Sequence, residues 1–161
     1  MKIISKAVLL FTLAGILPFA YAEENDVPFA SQINARQSVM TLYGYNLGLL
    51  GAMAKGTMPY DAKIATEAAQ NLLSVSQMKN STMWPAGSDI DAPGLANKTG
   101  AKANLWSSFP EVGEKHQALT ENLTNMSLVA GDGVEAIRAN IGSVGKACKA
   151  CHEQFRQEEE D

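Results

Sequence analysis

Residues 133–157 read GVEAIRANIGSVGKACKACHEQFRQ, close to the end of a chain of 161 residues. Apolar side chains recur here at steps of three and four, the spacing that places residues on one face of an α-helix. This apolar face comprises Val134, Ile137, Ile141, Val144, Cys148, Cys151 and Phe155. Because both cysteines belong to it, any group that they carry is expected to lie inside a helical bundle.

The segment contains the motif C-x-x-C-H, formed by Cys148, Cys151 and His152. This spacing is typical of c-type haem attachment. Two thiols three residues apart on a helix reach the edge of one flat macrocycle, where each thiol adds to a vinyl group. His152 then lies against the iron, and a proximal histidine is a standard haem ligand. The motif therefore predicts one covalent haem c with His152 as the metal ligand.

Other interpretations of the two cysteines fit less well. A thioredoxin-like redox pair expects a neighbouring βαβ pattern, which the sequence lacks. A structural zinc site normally has four ligands, but the chain has two cysteines and only one further histidine, His116, which has no ligand pattern around it. A disulfide between cysteines three apart on a helix would be strained.

The rest of the chain repeats the helical period. Besides the segment at 133–157, the pattern predicts helices over residues 28–55, 62–79 and 102–130. A long connection rich in Gly, Pro and Asp occupies residues 80–101, and no run alternates with the two-residue period of a strand. Four helices with otherwise short connections predict an all-α fold, an antiparallel four-helix bundle with up-down-up-down topology that encloses the haem.

Residues with special backbone preferences mark the ends of these helices. Gly56 suits a C-terminal cap, and the acidic side chains of Asp61 and Asp132 suit N-caps. Pro110 is expected to kink the third helix or to delay its start. In that helix the apolar face is predicted to comprise Leu105, Phe109, Val112, His116, Leu119, Leu123, Met126 and Ala130.

The first 22 residues have the features of an export signal. Lys2 and Lys6 precede a short apolar run, and Ala20-Tyr21-Ala22 forms a small-residue cleavage site. The apolar run is too short to span a bilayer. We expect cleavage after Ala22, a periplasmic domain over residues 23–161 and no stable membrane anchor, and periplasmic export suits covalent haem attachment.

The charge of the chain excludes some classes of function. The formal net charge is −4, and loss of Lys2 and Lys6 with the signal peptide makes it more negative. An acidic protein is a poor match for nucleic acid. Since no nucleophile or general acid–base pair is placed by pattern beside the motif, the sequence does not predict an enzyme.

With this motif on the last helix, the chain resembles the cytochrome c′ family, the class II cytochromes c. The resemblance covers residues 29–157 and includes three weaker features besides the C-terminal motif with its following Phe155-Arg156 pair. These features are Arg36-Gln37-Ser38 on the first helix, Gly56 with Pro59-Tyr60-Asp61 in the first turn, and Thr99 seven residues before Trp106.

The resemblance implies roles for further residues. The iron face opposite His152 is usually vacant in this family and is covered by an apolar residue of the first helix, where Met40 stands. Arg36 and Gln37 are expected near the haem edge, with Arg36 either pairing with a haem propionate or extending into water. The remaining expected site residues are Thr99 in the segment before the third helix, Phe155 packing on the haem and Arg156 beside the proximal histidine or solvated.

Two functions follow from the resemblance. A vacant iron face implies five-coordinate, high-spin iron that binds NO or CO, with electron transfer to an undefined redox partner as a possible second role. If the sulfur of Met40 instead binds the iron, the chain is a six-coordinate, low-spin electron carrier. The family often forms homodimers through the first helices, and Gly44, Gly48 and Gly51 either permit such a contact or pack within the bundle.

Overall fold

The computed structural model describes residues 27–158, and this part of the chain is mostly helical. The predicted signal peptide at residues 1–22 lies outside it. The helices are α1 (Ala30–Lys55), α2 (Ala62–Ser76), α3 (Asn104–Ser107), α4 (Phe109–Val129) and α5 (Val134–Phe155). Short 3-10 turns occupy Ser81–Met83 and Ala130–Asp132.

The four long helices form an antiparallel four-helix bundle. In this bundle α1 packs against α2 and α5, and α4 packs against α2 and α5, so each long helix has two neighbours. Short connections between α1 and α2 and between α4 and α5 make these pairs antiparallel. The predicted fold is therefore confirmed, and the core contains Leu50, Met53, Ala65, Ala68, Leu72, Leu123, Met126, Ile137 and Val144.

The helix ends agree with the predicted caps at two positions out of three. Gly56 ends α1 with a left-handed backbone at φ 74°, and Asp61 accepts a 2.9 Å hydrogen bond from the Ile64 amide at the start of α2. The prediction for Asp132 is wrong. Asp132 belongs to the preceding 3-10 turn, and Gly133, at φ 131°, takes the N-cap position of α5.

The predicted third helix is two helices. α3 ends at Ser107, and α4 begins at Phe109 with Pro110 in its first turn, where the missing proline N–H costs nothing. The expected delay at Pro110 is therefore confirmed. The predicted apolar face of this helix is wrong at Phe109, which is 48% exposed, and at His116, which is also exposed. The predicted second helix is shorter than expected and ends at Ser76.

Across residues 27–158, no helix has both the length and the apolar character needed to cross a membrane.

Close packing of the α4–α5 turn against α2 gives a first prediction. A Cβ added to Gly131 would lie 2.7 Å from Thr66 Oγ1, and the Thr66 hydroxyl is held by its 2.8 Å hydrogen bond to the Ala62 carbonyl. We expect Gly131→Ala to lower the free energy of unfolding by about 1–3 kcal/mol, the usual cost of overpacking. Urea denaturation followed by circular dichroism measures this change.

The control for this prediction is Thr66→Ala, which removes the oxygen that would clash. Gly131→Ala should lower the free energy of unfolding clearly less in the Thr66→Ala background than in the wild type. An equal cost in the two backgrounds would show that the contact with Thr66 does not limit residue 131.

Candidate functional site

The predicted motif occupies the last turns of α5. Cys148 and Cys151 are half-buried free thiols, and His152 is exposed. Cys148 packs against the edge of the core and lies along α5 between the buried residues Val144 and Phe155. Cys148 thus lies at the edge of the core, as its place in the apolar pattern predicted, and Cys151 is half-buried.

The surroundings of the motif favour neutral side chains. Burial raises the pKa of the Cys148 thiol, and the neighbouring Cys151 raises it further. Burial also raises the pKa of Cys151, an effect opposed by the positive charge of Lys115. Partial burial and the charge of Arg156 lower the pKa of His152. A neutral imidazole keeps a nitrogen lone pair available for a metal.

Helix α1 presents its side chains to this motif. Burial raises the pKa of Tyr43 to about 12, and the negative charge of a Cys148 thiolate adds to the increase, which places the Tyr43 phenol close to Cys148. Met40 lies three residues earlier and therefore shares a face of α1 with Tyr43. Its side chain is 43% exposed. Tyr43 was not predicted as a site residue, although its three-residue spacing from Met40 was the available signal.

Helix α4 borders the motif on the other side. Gln154 Nε2 donates a 2.8 Å hydrogen bond to Glu111 Oε2, and Lys115 lies 3.6 Å from the other carboxylate oxygen of Glu111. Since Lys115 is close enough to Cys151 to influence its pKa, the first turns of α4 flank the second cysteine. Neither Glu111 nor Lys115 was predicted as a site residue.

Arg36 does not extend into water, because its side chain is only 3% exposed. Nη1 donates to Ser88 Oγ at 2.7 Å and to the Met83 carbonyl at 3.5 Å, and Nη2 donates to the Ser88 carbonyl and, at 2.6 Å, to Thr99 Oγ1. The guanidinium also lies 4.8 Å from the ring centroid of Trp84. Among the described residues, both Nη groups of Arg36 donate to neutral acceptors of the connection formed by residues 77–103.

The other predicted site residues lie around the same connection. Gln37 is exposed and donates from Nε2 to the Lys98 carbonyl at 2.9 Å, and Thr99 is buried against Arg36. Phe155 is buried, as predicted. Arg156 is exposed and lies over Gly100, where an added Cβ would approach the Arg156 Cγ to 3.4 Å. The structure thus brings Arg36, Thr99 and Arg156 into one region at the end of α5.

Comparison with known proteins identifies the family. The sequence profile described as cytochrome c′ matches residues 31–156, which include all four long helices and the motif. The chain belongs to the cytochrome c′ family. A cytochrome c′ of Cereibacter sphaeroides is 34% identical over 151 residues, which cover 94% of this chain and 97% of that protein. Cytochrome c-554 of the same species is 33% identical over 127 residues, which cover 79% of this chain and 93% of that protein.

Solved structures of cytochromes c′ share the fold. A cytochrome c′ from a Rhodobacter species superposes with a TM-score of 0.77 at 32% identity, over 81% of this chain and 98% of that one. A cytochrome c′ with ligand-controlled dimer dissociation gives 0.73 at 25% identity, over 81% and 97% of the two chains. A ferrous variant from Alcaligenes xylosoxidans with bound NO gives 0.66 at 26% identity, also over 81% and 97%.

Membership of the cytochrome c′ family implies a c-type haem, and the side chains at the end of α5 fit one. The site offers two free thiols and a histidine biased towards its neutral form, the donors that attachment and ligation require. Apolar surface for a macrocycle comes from the neighbouring helices, with Met40 on α1 and Phe109 on α4 both partly exposed. Within residues 27–158, no group of three or more His, Cys, Asp or Glu side chains could instead hold a bare metal ion.

Proposed function

We propose that this chain is a periplasmic c-type haem protein that binds NO or CO at five-coordinate, high-spin iron and also serves in electron transfer. The observation that carries the proposal is the C-x-x-C-H motif on the last turns of α5, where Cys148 and Cys151 are half-buried and Tyr43 of α1 lies close to Cys148. The solved relative with bound NO supports the choice of gas. In this proposal the protein binds ligands and carries electrons, and it is not an enzyme.

Each residue of the site has a role in this proposal. Cys148 and Cys151 form the two thioether bonds, and the neutral imidazole of His152 is the proximal iron ligand. When bound, the haem supplies an open iron position for a diatomic gas and a one-electron couple. Met40 would cover the iron face opposite His152 with an apolar side chain that has no N–H or O–H to donate to O₂, so O₂ is expected to bind poorly.

The ferrous absorption spectrum with and without CO tests five-coordination. We expect a high-spin spectrum that changes on addition of CO, because the thioether of Met40 crowds the iron without binding it. Met40→Ala should retain the high-spin spectrum and bind CO faster, since the smaller side chain leaves more room. Leu128→Ala is the matched control, because it alters an exposed apolar residue on α4. It should leave the ferrous spectrum and the rate of CO binding unchanged.

The second candidate is a six-coordinate, low-spin electron carrier with Met40 as the distal ligand. Met40 lies three residues before Tyr43, which is close to Cys148, and this proximity supports the candidate. Met/His ligation raises the reduction potential. A low-spin wild-type spectrum that CO does not change, together with conversion to high spin and a lower potential in Met40→Ala, would favour this candidate over the first.

We also propose that the protein forms a homodimer through the outer face of α1. Leu42 and Tyr45 are exposed there, with Tyr45 at 66%. A Cβ at Gly48, three residues further, would meet nothing within 4 Å, whereas one at Gly51 would contact Ile141. Gly51 therefore packs inside the bundle and Gly48 lies on the outer face. A dimer in a solved relative supports this proposal.

Sedimentation velocity at several concentrations tests the dimer. We expect the combined variant Leu42→Glu/Tyr45→Glu to sediment as a monomer at concentrations where the wild type is a dimer, because two charges would be buried without partners. Leu128→Glu adds a charge at a 74% exposed position of α4 and should remain a dimer. A wild type that is monomeric at all concentrations would contradict the proposed interface.

A further inference from the structure

The last turn of α5 is held by a segment distant in sequence. The final carbonyls of an α-helix have no partners within the helix, so that its last turn tends to fray. Here the Phe155 carbonyl accepts a 2.9 Å hydrogen bond from the Lys102 amide, and the Gln154 carbonyl accepts one of 3.3 Å from Asn104 Nδ2. The Gln157 amide donates to the Gly100 carbonyl at 2.7 Å.

We name residues 100–104 the clasp, because they pair with the chain at residues 154–157. Ala101 and Arg156 form an antiparallel bridge at its centre. The Arg156 amide also closes the last helical hydrogen bond, at 2.9 Å, with the carbonyl of His152. The helical turn that carries His152 is therefore fixed between the body of α5 and the clasp.

The clasp is in turn fixed to α1. Thr99 Oγ1 accepts a 3.2 Å hydrogen bond from the Ala101 amide and a 2.6 Å hydrogen bond from Arg36 Nη2. The same guanidinium holds both the hydroxyl and the carbonyl of Ser88 at the other side of the connection. Bonds from an ionised donor are stronger than neutral ones, and all these groups are buried.

We propose that Arg36 is a positioning residue for the iron ligand His152, acting through Thr99 and the clasp. The inference rests on the proposed function and extends it, since it links α1, which carries Met40 one turn after Arg36, to the turn that carries His152. Disturbing the hydroxyl of Thr99 then loosens the end of α5 and changes how the imidazole is held, although Thr99 is not itself a ligand.

Thr99→Val in the haem-loaded protein tests whether Thr99 fixes the clasp against the end of α5. Valine keeps the shape of threonine but removes the oxygen that accepts from Arg36 and Ala101. We expect the amides of Lys102 and Gln157 to exchange with deuterium at least about tenfold faster, as expected for the loss of one charge-assisted bond. Thr99→Ser keeps the hydroxyl and should exchange as the wild type does. The amides of Leu72 and Leu123 in the core report global destabilisation, and their exchange should accelerate less than that of Lys102 and Gln157.

The iron–histidine stretching band in the resonance Raman spectrum of the ferrous protein tests whether the clasp affects how His152 is held. We expect this band to shift or broaden in Thr99→Val and in Arg36→Lys, which keeps the charge but loses the planar fork, and to be normal in Thr99→Ser. Unchanged exchange at Lys102 and Gln157, or an unchanged band despite faster exchange, would overturn the inference. A wild type without covalent haem would instead overturn the proposed function.

Discussion

Replacing both Cys148 and Cys151 by serine is expected to yield a protein with no covalently bound haem. A serine hydroxyl does not replace the thiol that adds to a vinyl group, and the two cysteines are the only ones in the chain. Cys148→Ser alone and Cys151→Ser alone should each retain one thioether bond to the haem. Mass spectrometry under denaturing conditions, on protein matured in a host that attaches haem, measures the mass of one haem in the wild type and none in the double variant.

The control for this prediction lies within the motif. Lys149 is exposed, and its contact with Glu153 at 3.3 Å is a surface ion pair of little energetic value. Lys149→Ala should therefore carry covalent haem as the wild type does. Covalent haem in the double variant, or its absence from the wild type, would contradict both the attachment and the proposed function.

Replacing Arg36 by methionine is expected to lower the free energy of unfolding by about 3–5 kcal/mol. The substitution keeps much of the apolar stem but leaves buried acceptors of Ser88 and Thr99 without donors, and each unsatisfied group costs about 1–3 kcal/mol. The contact with Trp84 contributes about a further 1 kcal/mol. Burial lowers the pKa of Arg36 against the opposing effect of Asp89, but an arginine stays charged and its acceptors are therefore required.

Urea denaturation followed by circular dichroism measures this loss. Arg138→Met is the matched control, because Arg138 is an exposed arginine that donates at 2.7 Å to the Ala54 carbonyl near the end of α1. Its replacement should cost about 1 kcal/mol or less. Equal losses in the two variants would show that the 77–103 connection does not depend on Arg36.

Much of the site could be predicted because its signals are local. Cys148, Cys151 and His152 are defined by spacing within one helical turn, and their place on the apolar face follows from the period of α5. The caps at Gly56 and Asp61 are equally local. The N-cap at Asp132 was wrong because Gly133 adopts a positive φ that the sequence did not reveal, and the apolar face of α4 was wrong because its first turns border the end of α5 rather than the core.

The partners of Arg36 could not be predicted, because they come from 47 to 63 residues further along the chain. An arginine in an apolar stripe indicates only that the charge needs a partner. Whether that partner is a propionate, water or a neutral group depends on how the long connection folds. In the structure the 27 residues between α2 and α3, whose regular structure is one short 3-10 turn, fold around the guanidinium.

The sequence by itself determined the helical period, the antiparallel bundle and the thiol–imidazole motif, since each depends on spacings of three or four residues that any α-helix turns into a shared face. Only the tertiary structure decided which groups accept hydrogen bonds from Arg36, which glycines of α1 face outwards and which segment holds the end of α5. Those features depend on contacts between segments far apart in the chain, and their geometry exists only once the helices and the connection have packed together.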